Sequence, residues 1–396
     1  MQWASALSTQ EQPSVAVQAV LGSLRNQLNG TQASLILIFA SGHSRESWPV
    51  FLESVRSEYP ESTVVGCGAA GVIGGGREVE NAVALSMTAA VLPDVAVIGF
   101  HYEGQAAATV DEAAQQWIER LGIEVEHRPA FLLFPDPYTC NPAQLIAGLD
   151  RAYPGQIKVG GLASGGQTQG DQVLVCDDRI EDAGAVGVAM YGDIDVSSIV
   201  AQGCRPVGSP MAVTECRKNL LVELDGVSAL EQLERVFHLL DPQDQHLFRS
   251  MPMVGIGMDP TRETYRQGDF LLRQLMGMDR NQGVLSVGTQ LEVGNIVQFH
   301  LRDAESSRAE LEELLIQHGR NHSVDQGEGA VLFSCVGRGE AFFGVPDHDV
   351  SVATRYLGGA PIGGFFGAGE IGPVDGRTWL HGYTCAIAIF RPRGWS

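Results

Sequence analysis

Short apolar runs alternate with amphipathic stretches along most of this chain. The runs Leu35–Ala40, Phe131–Phe134 and Ala330–Cys335 have the length and composition of buried strands. Each is followed by a loop and then by a stretch with apolar residues at helical spacing, such as 48–55, before a turn rich in glycine. This order predicts a strand–loop–helix–strand unit that occurs several times in the chain.

The glycine turns share an apolar–glycine pattern that returns about every hundred residues, a period too long for a solenoid. The spacing predicts duplicated units that assemble into one body and bring like turns together. The third of the four copies resembles the others least. The copies are Val65-Gly66-Cys67-Gly68, Val159-Gly160-Gly161-Leu162, Val254-Gly255-Ile256-Gly257 and Ile362-Gly363-Gly364-Phe365.

Other apolar stretches come as consecutive strands broken by glycine or by Pro-Asp, which is typical of antiparallel meanders. They cover 82–101, 184–203, 208–224, 284–301 and 379–391. Because helices lie between them, the sequence predicts a mixed α+β fold of duplicated units, with antiparallel-rich sheets covered by helices. The best boundary is at Asp225-Gly226, which predicts domains at 1–225 and 226–396.

Composition and charge narrow the possible partners. The 396 residues carry a net charge of −21 without a basic stripe, which argues against nucleic acids and anionic membrane surfaces as partners. No apolar run reaches about 18 residues, so we expect no membrane insertion. The seven cysteines are widely spaced, the histidines do not cluster, and the N-terminus lacks a signal-like segment. We therefore expect a cytoplasmic protein with reduced thiols and no metal site.

The first glycine turn also matches the dinucleotide pattern G-x-G-x-x-G, at Gly66–Gly71. A dinucleotide site needs a helix to begin there, but the chain continues into Val72-Ile73-Gly74-Gly75-Gly76, which does not start a stable helix. Close backbone packing at a turn is the simpler explanation. Such turns also leave main-chain N–H groups available to a small ligand, so Cys67 and Gly68 are candidate site residues.

The sharpest local motif is an arginine between glycines at the end of an apolar run. Gly337 and Gly339 flank Arg338, which follows Cys335 by three residues. A flexible backbone would let the guanidinium enter a cleft, bind a carboxylate through two hydrogen bonds and lower the pKa of the thiol. The alternative is a buried cysteine and an arginine paired with an acid such as Glu370.

A second motif places that acid in a glycine-rich turn, between Ile362 and Pro373. We predict a concave ligand pocket in which Arg338 faces a carboxylate, Glu370 faces an ammonium group and Phe365 forms an apolar wall. That arrangement suits a zwitterion such as an amino acid. The predicted ligand-binding residues are Cys335, Gly337, Arg338, Gly339, Gly363, Gly364, Phe365 and Glu370, with Cys67 and Gly68.

Taken together, these motifs resemble those of the FIST family, named for F-box and intracellular signal transduction. The resemblance covers nearly the whole chain. Its N-terminal part is carried by Leu37–Ser41, Val65–Gly71 and Gln202–Gly208, and its C-terminal part by Phe270–Arg273, Cys335–Gly339, Gly364–Gly372 and His381–Tyr383.

The resemblance implies a sensory module that binds a small ligand, such as an amino acid. We expect a module without catalysis of its own. FIST parts are often fused to output domains, but here the two parts fill the chain, so the resemblance implies a separate signalling output partner. Some bacterial members of the family are haem-binding gas sensors, which leaves haem as an alternative cofactor. An enzyme with Cys335 as its nucleophile is the other alternative, and it needs a base close to the thiol.

Overall fold

The computed structural model describes residues 1–104, 109–321 and 329–394. The chain forms two compact units. The first unit comprises Met1–Val200, Glu312–Leu380 and the residues from Thr384 onward. The second, which we call the inserted unit, comprises Ala201–Leu311 and His381–Tyr383.

The first two sections of the chain, both in the first unit, have the same order of helices and strands. Section one is β1(Gln2–Ser8), α1(Pro13–Gln27), β2(Leu35–Ser41), α2(Trp48–Glu58), β3(Thr63–Gly68), β4(Gly71–Gly74), β5(Arg77–Glu80) and β6(Ala84–Val91). Section two is β7(Val95–Tyr102), α3(Val110–Leu121), β8(Ala130–Pro135), α4(Pro142–Ala152), β9(Lys158–Gly161), β10(Leu174–Cys176), β11(Arg179–Glu181) and β12(Ala185–Gly192).

Section three follows the same order but is interrupted after its first strand, β13(Asp195–Ala201). The interruption contains β14(Cys204–Arg217), β15(Leu220–Leu224), β16(Val227–Ser228), α5(Ala229–Leu239), α6(Pro242–Ser250), β17(Pro252–Gly257), β18(Phe270–Asp279), β19(Val284–Val287) and β20(Ile296–Arg302). The section then continues with α7(Ala304–Asn321), β21(Gly329–Cys335), α8(Glu340–Phe343), α9(His348–Tyr356), β22(Ile362–Gly367), β23(Glu370–Val374), β24(Arg377–His381) and β25(Cys385–Arg391).

Three six-stranded sheets in the described part of the first unit share one strand order. They are β1-β6-β2-β3-β10-β11, β7-β12-β8-β9-β23-β24 and β13-β25-β21-β22-β4-β5. In each, one pair of strands is parallel and joined through a helix. Each sheet ends in a hairpin contributed by another section, so the three sections are interlocked. The predicted mixed fold is confirmed; that the three sections superpose, as the repeat implies, stays a prediction.

Glycine in the repeated turns is required by close contact between parallel strands. Gly66, Gly160 and Gly364 lie against the preceding strand so closely that an added Cβ would come within 1.7–2.0 Å of a carbonyl oxygen. The sequence pattern aligned Gly363 with the first two, and that register is wrong by one residue. A Cβ at Gly363 would instead meet the Oγ1 of Thr88 at 1.6 Å.

Four phenylalanines form the centre of the first unit. Phe39, Phe134 and Phe333 come from β2, β8 and β21, and Phe365 comes from β22. All four are fully buried, and neighbouring ring centroids lie 4.8–5.8 Å apart. The strands that the apolar runs predicted therefore meet around one aromatic core.

The inserted unit is built on a seven-stranded sheet with the order β14-β20-β17-β18-β19-β15-β16. β14 also pairs with β15, so the sheet closes on itself. Helices α5 and α6 pack on this sheet over a core of its own. The weakest copy of the glycine pattern, at Gly255, lies in β17, which is antiparallel to both of its neighbours and is therefore not a parallel glycine turn.

The helices within the described ranges give no candidate for a membrane span, since none is both long enough and apolar enough to cross a bilayer.

Candidate functional site

The three glycine turns of the first unit meet one another through main-chain hydrogen bonds. The carbonyl of Gly68 accepts from the N–H of Gly165 at 3.1 Å, which joins the first turn to the second. The N–H of Leu162 donates to the carbonyl of Gly369 at 2.8 Å, and Ala368 donates back to Leu162 at 3.1 Å, which joins the second to the third. The carboxyl ends of the parallel strands are thus collected at one place, where ligands of α/β sheets commonly bind.

The arginine that the sequence singled out is enclosed and bound by an acid of the same section. Arg338 donates from Nε and Nη2 to the two carboxylate oxygens of Asp349, at 2.8 and 3.0 Å. Both side chains are at most 1% exposed. Asp349, in the first turn of α9, is therefore a partner that the sequence analysis did not consider, and Glu370, which it named, lies close enough for the charge of Arg338 to lower its pKa.

Asp349 stands at the centre of a buried polar cluster. Its carboxylate also accepts from Ser334 Oγ at 2.8 Å and contacts His348 Nδ1 at 2.9 Å. Burial alone would raise the pKa of Asp349, but the charge of Arg338 and the hydrogen bonds from His348 and Arg338 outweigh it and hold that pKa far below its usual range. Asp349 is therefore ionised, and the pair with Arg338 is a buried salt bridge.

Two glutamates beside this pair are pushed toward the neutral form. Burial, reinforced by the charge of Asp349, raises the pKa of Glu78 to about 8, although its carboxylate accepts from the N–H of Val350 at 2.7 Å. Burial also raises the pKa of Glu370 to about 8, against the hydrogen bonds from Thr384, the charge of Arg338 and the Cys335 thiol, which lower it. Both carboxyls therefore hold a proton at neutral pH.

The other predicted site residues are dispersed. Phe365 and Cys67 lie in the aromatic and aliphatic core, and Cys335 is 7% exposed at the end of β21. Gly339 packs so tightly on the carboxylate of Glu80 that a Cβ would lie 1.6 Å from an oxygen. The remaining predicted glycines, Gly337, Gly363 and Gly364, lie in the turn before α8 and in β22. Of the predicted residues, Cys335, Arg338 and Glu370 come together, but inside the protein.

One predicted residue, Gly68, lines a cavity of about 410 Å³ that opens at the carboxyl ends of β2 and β3. The N-terminal end of α2 borders the same cavity, because Trp48, the first residue of that helix, is in the lining. Such an end carries partial positive charge. The lining is largely polar and consists of Ala40, Gly42, His43, Ser44, Arg45, Trp48, Gly68, Ala69, Gly165, Gly166, Gln167, Asp171 and Val173. We call this space the glycine-turn cavity.

One side of the glycine-turn cavity is cationic. Arg45 is held there by a hydrogen bond from Nη1 to the carbonyl of Gln172 at 3.3 Å and by a distant ion pair with Asp182, at 3.9 Å. Its side chain is 43% exposed, so much of the guanidinium stays accessible. Burial lowers the pKa of His43, and its Nε2 has no hydrogen-bond partner among the described residues.

The loop between β9 and β10, which Gln172 holds in place, also lines the cavity. The buried amide of Gln172 donates to the carbonyls of Ala163 and Gly166 and accepts from the N–H of Gly166, at 3.0–3.2 Å. Asp171 at the end of this loop accepts from the N–H and hydroxyl of Thr168 at 3.1 and 2.7 Å. The cavity therefore carries a fixed carboxylate as well as a guanidinium.

Sequence reasoning missed His43, Arg45 and Asp171. A usable signal was present, because Gly42-His43-Ser44-Arg45 follows a fully apolar strand and precedes an amphipathic helix. Polar residues at the end of a buried parallel strand are well placed to bind ligands. Asp171 had no comparable signal, since only the interlocking of the sections brings its loop to β2 and β3.

Family models match both parts of the chain, a FIST N domain over residues 34–227 and a FIST C domain over residues 229–373. The chain belongs to the FIST family. FIST domains are associated with sensing in signal transduction.

Relatives and solved structures add little about its chemistry. This FIST protein is 35% identical to an uncharacterised protein of Mycobacterium tuberculosis, over 95% of both chains. It is 34% identical to an uncharacterised protein of Mycobacterium bovis, over 97% of both chains. Among solved structures it is similar to cyanuric acid hydrolase from A. caulinodans over 99% of both chains, with a TM-score of 0.38 and 8% identity. A likeness that weak carries no argument about activity.

Proposed function

We propose that this FIST protein is a sensory module that binds a small zwitterionic molecule, of the amino-acid class, in the glycine-turn cavity. The observation that carries the proposal is that Arg45 and Asp171 both line one accessible, polar cavity at the carboxyl ends of two parallel strands. The module would signal through a separate output partner.

The lining provides complementary partners for both charged groups of such a ligand. A guanidinium binds a carboxylate well, because its planar fork can donate two hydrogen bonds. The N-terminal end of α2 and the glycine main chain favour the same negative group. Asp171 is available for the ammonium group, and the volume of about 410 Å³ lies within the range typical of small-molecule sites.

The Arg338 cluster is a weaker candidate for the ligand site. Arg338 already binds a carboxylate through two hydrogen bonds and is fully enclosed. A ligand carboxylate would have to displace Asp349 from Arg338, its only strong cation among the described contacts. The buried carboxylate of Asp349 would then lack a countercharge, at a large desolvation cost. We therefore assign this cluster to stability and the glycine-turn cavity to binding.

We expect Arg45→Gln to weaken amino-acid binding at least tenfold while leaving the fold intact. The side chain is substantially exposed, so its loss costs little stability, but the ligand carboxylate loses its charged partner. The measurement is a calorimetric titration of the parent and the variant with the twenty common amino acids, after a thermal-shift screen.

The matched control is Arg151→Gln, which removes an exposed arginine of α4 that pairs with Asp111 and does not line the cavity. Its affinity should equal that of the parent. Equal affinities for the parent and Arg45→Gln would refute the assignment of the cavity.

Thiol reactivity separates this proposal from an enzyme that uses Cys335. In the native protein we expect iodoacetamide to modify Cys216 first, because Cys216 is partly exposed whereas the other six cysteines are buried. The neutral carboxyl of Glu370 beside Cys335 is also a poor base below pH 8. Peptide mapping after timed labelling at pH 7 gives the order. Fast labelling of Cys335 would favour the enzyme, and Cys216→Ser serves as the control that removes the expected first site.

Haem, the other alternative that the resemblance leaves open, needs an apolar pocket with a histidine. The glycine-turn cavity is too polar to fit it. In the inserted unit His238 lines an apolar cavity but is exposed to solvent, so the lining there does not fit an enclosed haem either.

A further inference from the structure

The inserted unit contains a cavity of its own, of about 430 Å³, between helices α5 and α6 and strand β18. Most of its lining is apolar. Leu230, Leu233 and Phe248 are buried at its base, and Met278 is 47% exposed at its edge. The full lining is Leu230, Leu233, Glu234, Phe237, His238, Phe248, Arg249, Pro252, Leu275, Met278 and Arg280.

Basic side chains form part of the lining of this apolar cavity. The guanidinium of Arg249 lies over the ring of Phe237, 4.8 Å from its centroid, and no carboxylate of the described residues forms an ion pair with it. Arg280 pairs with Glu234 at 3.5 Å, but the two side chains are 75% and 47% exposed, so this pair is weak and open to exchange. His238 adds a third basic side chain to the lining.

This local charge is opposite to that of the chain as a whole. The net charge is −21, yet the cavity lining has two arginines and a histidine against one glutamate. An apolar cavity with a cationic edge is complementary to a molecule with an apolar body and an anionic head. Leu239, the last residue of α5, is 86% exposed and adds apolar surface at that end of the helix.

We propose that the inserted unit binds a small amphipathic carboxylate with a single aliphatic chain. The aliphatic chain of the ligand lies against Leu230, Leu233 and Phe248. Arg249 binds the carboxylate, and Arg280 leaves its ion pair with Glu234 to bind the ligand as well. The inference is independent of the amino-acid site, which belongs to the first unit.

Two other occupants fit parts of this description less well. A haem needs a histidine directed into an enclosed pocket, whereas His238 is exposed to solvent. An apolar helix of a partner protein would leave the basic side chains of the lining, Arg249, Arg280 and His238, without complementary groups. The unmatched charge of Arg249 favours an anionic head group.

The test uses the full chain and three ligands with ten-carbon tails, all below their micelle concentrations. Decanoate, decanol and decyltrimethylammonium are titrated by calorimetry. We expect saturable binding of decanoate, at least tenfold tighter than that of decanol, and no binding of the cationic ligand. Equal binding of decanoate and the cationic ligand, or no saturable binding at all, would overturn the proposal.

Variants locate the site and define the role of charge. Arg249→Gln should weaken decanoate at least tenfold and leave decanol unchanged. Arg235→Gln is the matched control, since this exposed arginine lies on α5, pairs with Glu231 and does not line the cavity. Met278→Trp, at a half-exposed position, should block both ligands by narrowing the opening. An unchanged decanoate affinity in Arg249→Gln, or a Soret band in the purified protein that His238→Ala abolishes, would overturn the proposal.

Discussion

Replacing Arg338 with alanine should lower the free energy of unfolding by about 3–5 kcal/mol, because it leaves the buried carboxylate of Asp349 without its cation. The pair is bidentate, and both side chains are excluded from solvent. His348 and Ser334 would still contact the carboxylate, but the bidentate guanidinium would be lost. Urea unfolding at pH 7, followed by circular dichroism, gives the difference.

Two variants make this result specific. Arg151→Ala, which removes an exposed partner of Asp111, should cost less than about 1 kcal/mol. The double variant Arg338→Met with Asp349→Asn removes both charges and should recover part of the loss. A loss below 1 kcal/mol in Arg338→Ala would contradict the structural role. An intact fold with a tenfold drop in amino-acid affinity would instead restore Arg338 as a ligand residue.

Replacing Glu370 with glutamine should reduce the stability that the protein loses as the pH rises from about 4.5 to about 8. The carboxyl is fully buried, and burial raises its pKa to about 8, whereas in the unfolded chain it ionises near 4.5. Between these values the folded state binds a proton that the unfolded state releases. Stability therefore falls as pH rises through this window, by about 1.4 kcal/mol for each pH unit, and glutamine removes that loss.

The comparison is made by urea unfolding at pH 5 and pH 8. Between these two values the parent should lose roughly 3–4 kcal/mol more than Glu370→Gln does. Glu78 ionises over the same range, but it is present in both proteins, so its contribution cancels. Glu53→Gln, an exposed position on α2, is the control and should follow the parent. Identical pH profiles for the parent and Glu370→Gln would show that Glu370 is not held neutral.

Local pattern predicted much of the fold. The apolar runs Leu35–Ala40, Phe131–Phe134 and Ala330–Cys335 are buried strands, and the glycine turns after them pair in parallel with those strands. These features are set by residues that are close together in the sequence. The length of an apolar run, the helical spacing of apolar residues and the position of a glycine each determine structure over only a few residues. The one-residue error at Gly363 arose because two adjacent glycines satisfy the pattern equally well.

The candidate site depends on contacts between separate parts of the chain, which the local sequence pattern does not predict. The sequence analysis did not consider Asp349 as the partner of Arg338. Asp349 lies eleven residues further along the chain, and only the position of helix α9 in the fold brings it to the arginine. Likewise, the loop carrying Asp171 reaches β3 only because the hairpin after it is exchanged into the first sheet. A charged motif such as Gly337-Arg338-Gly339 predicts that a cation needs a partner, but the topology decides whether that partner is a ligand or the protein itself.

Native mass spectrometry of the protein purified from its own host tests the central claim most directly. If the glycine-turn cavity binds an amino-acid-like molecule, the parent should retain a small adduct that collisional activation releases. Arg45→Gln prepared in the same way should lack the adduct, and Arg151→Gln should keep it. The same adduct at the same occupancy in the parent and in Arg45→Gln would contradict the assignment of the cavity.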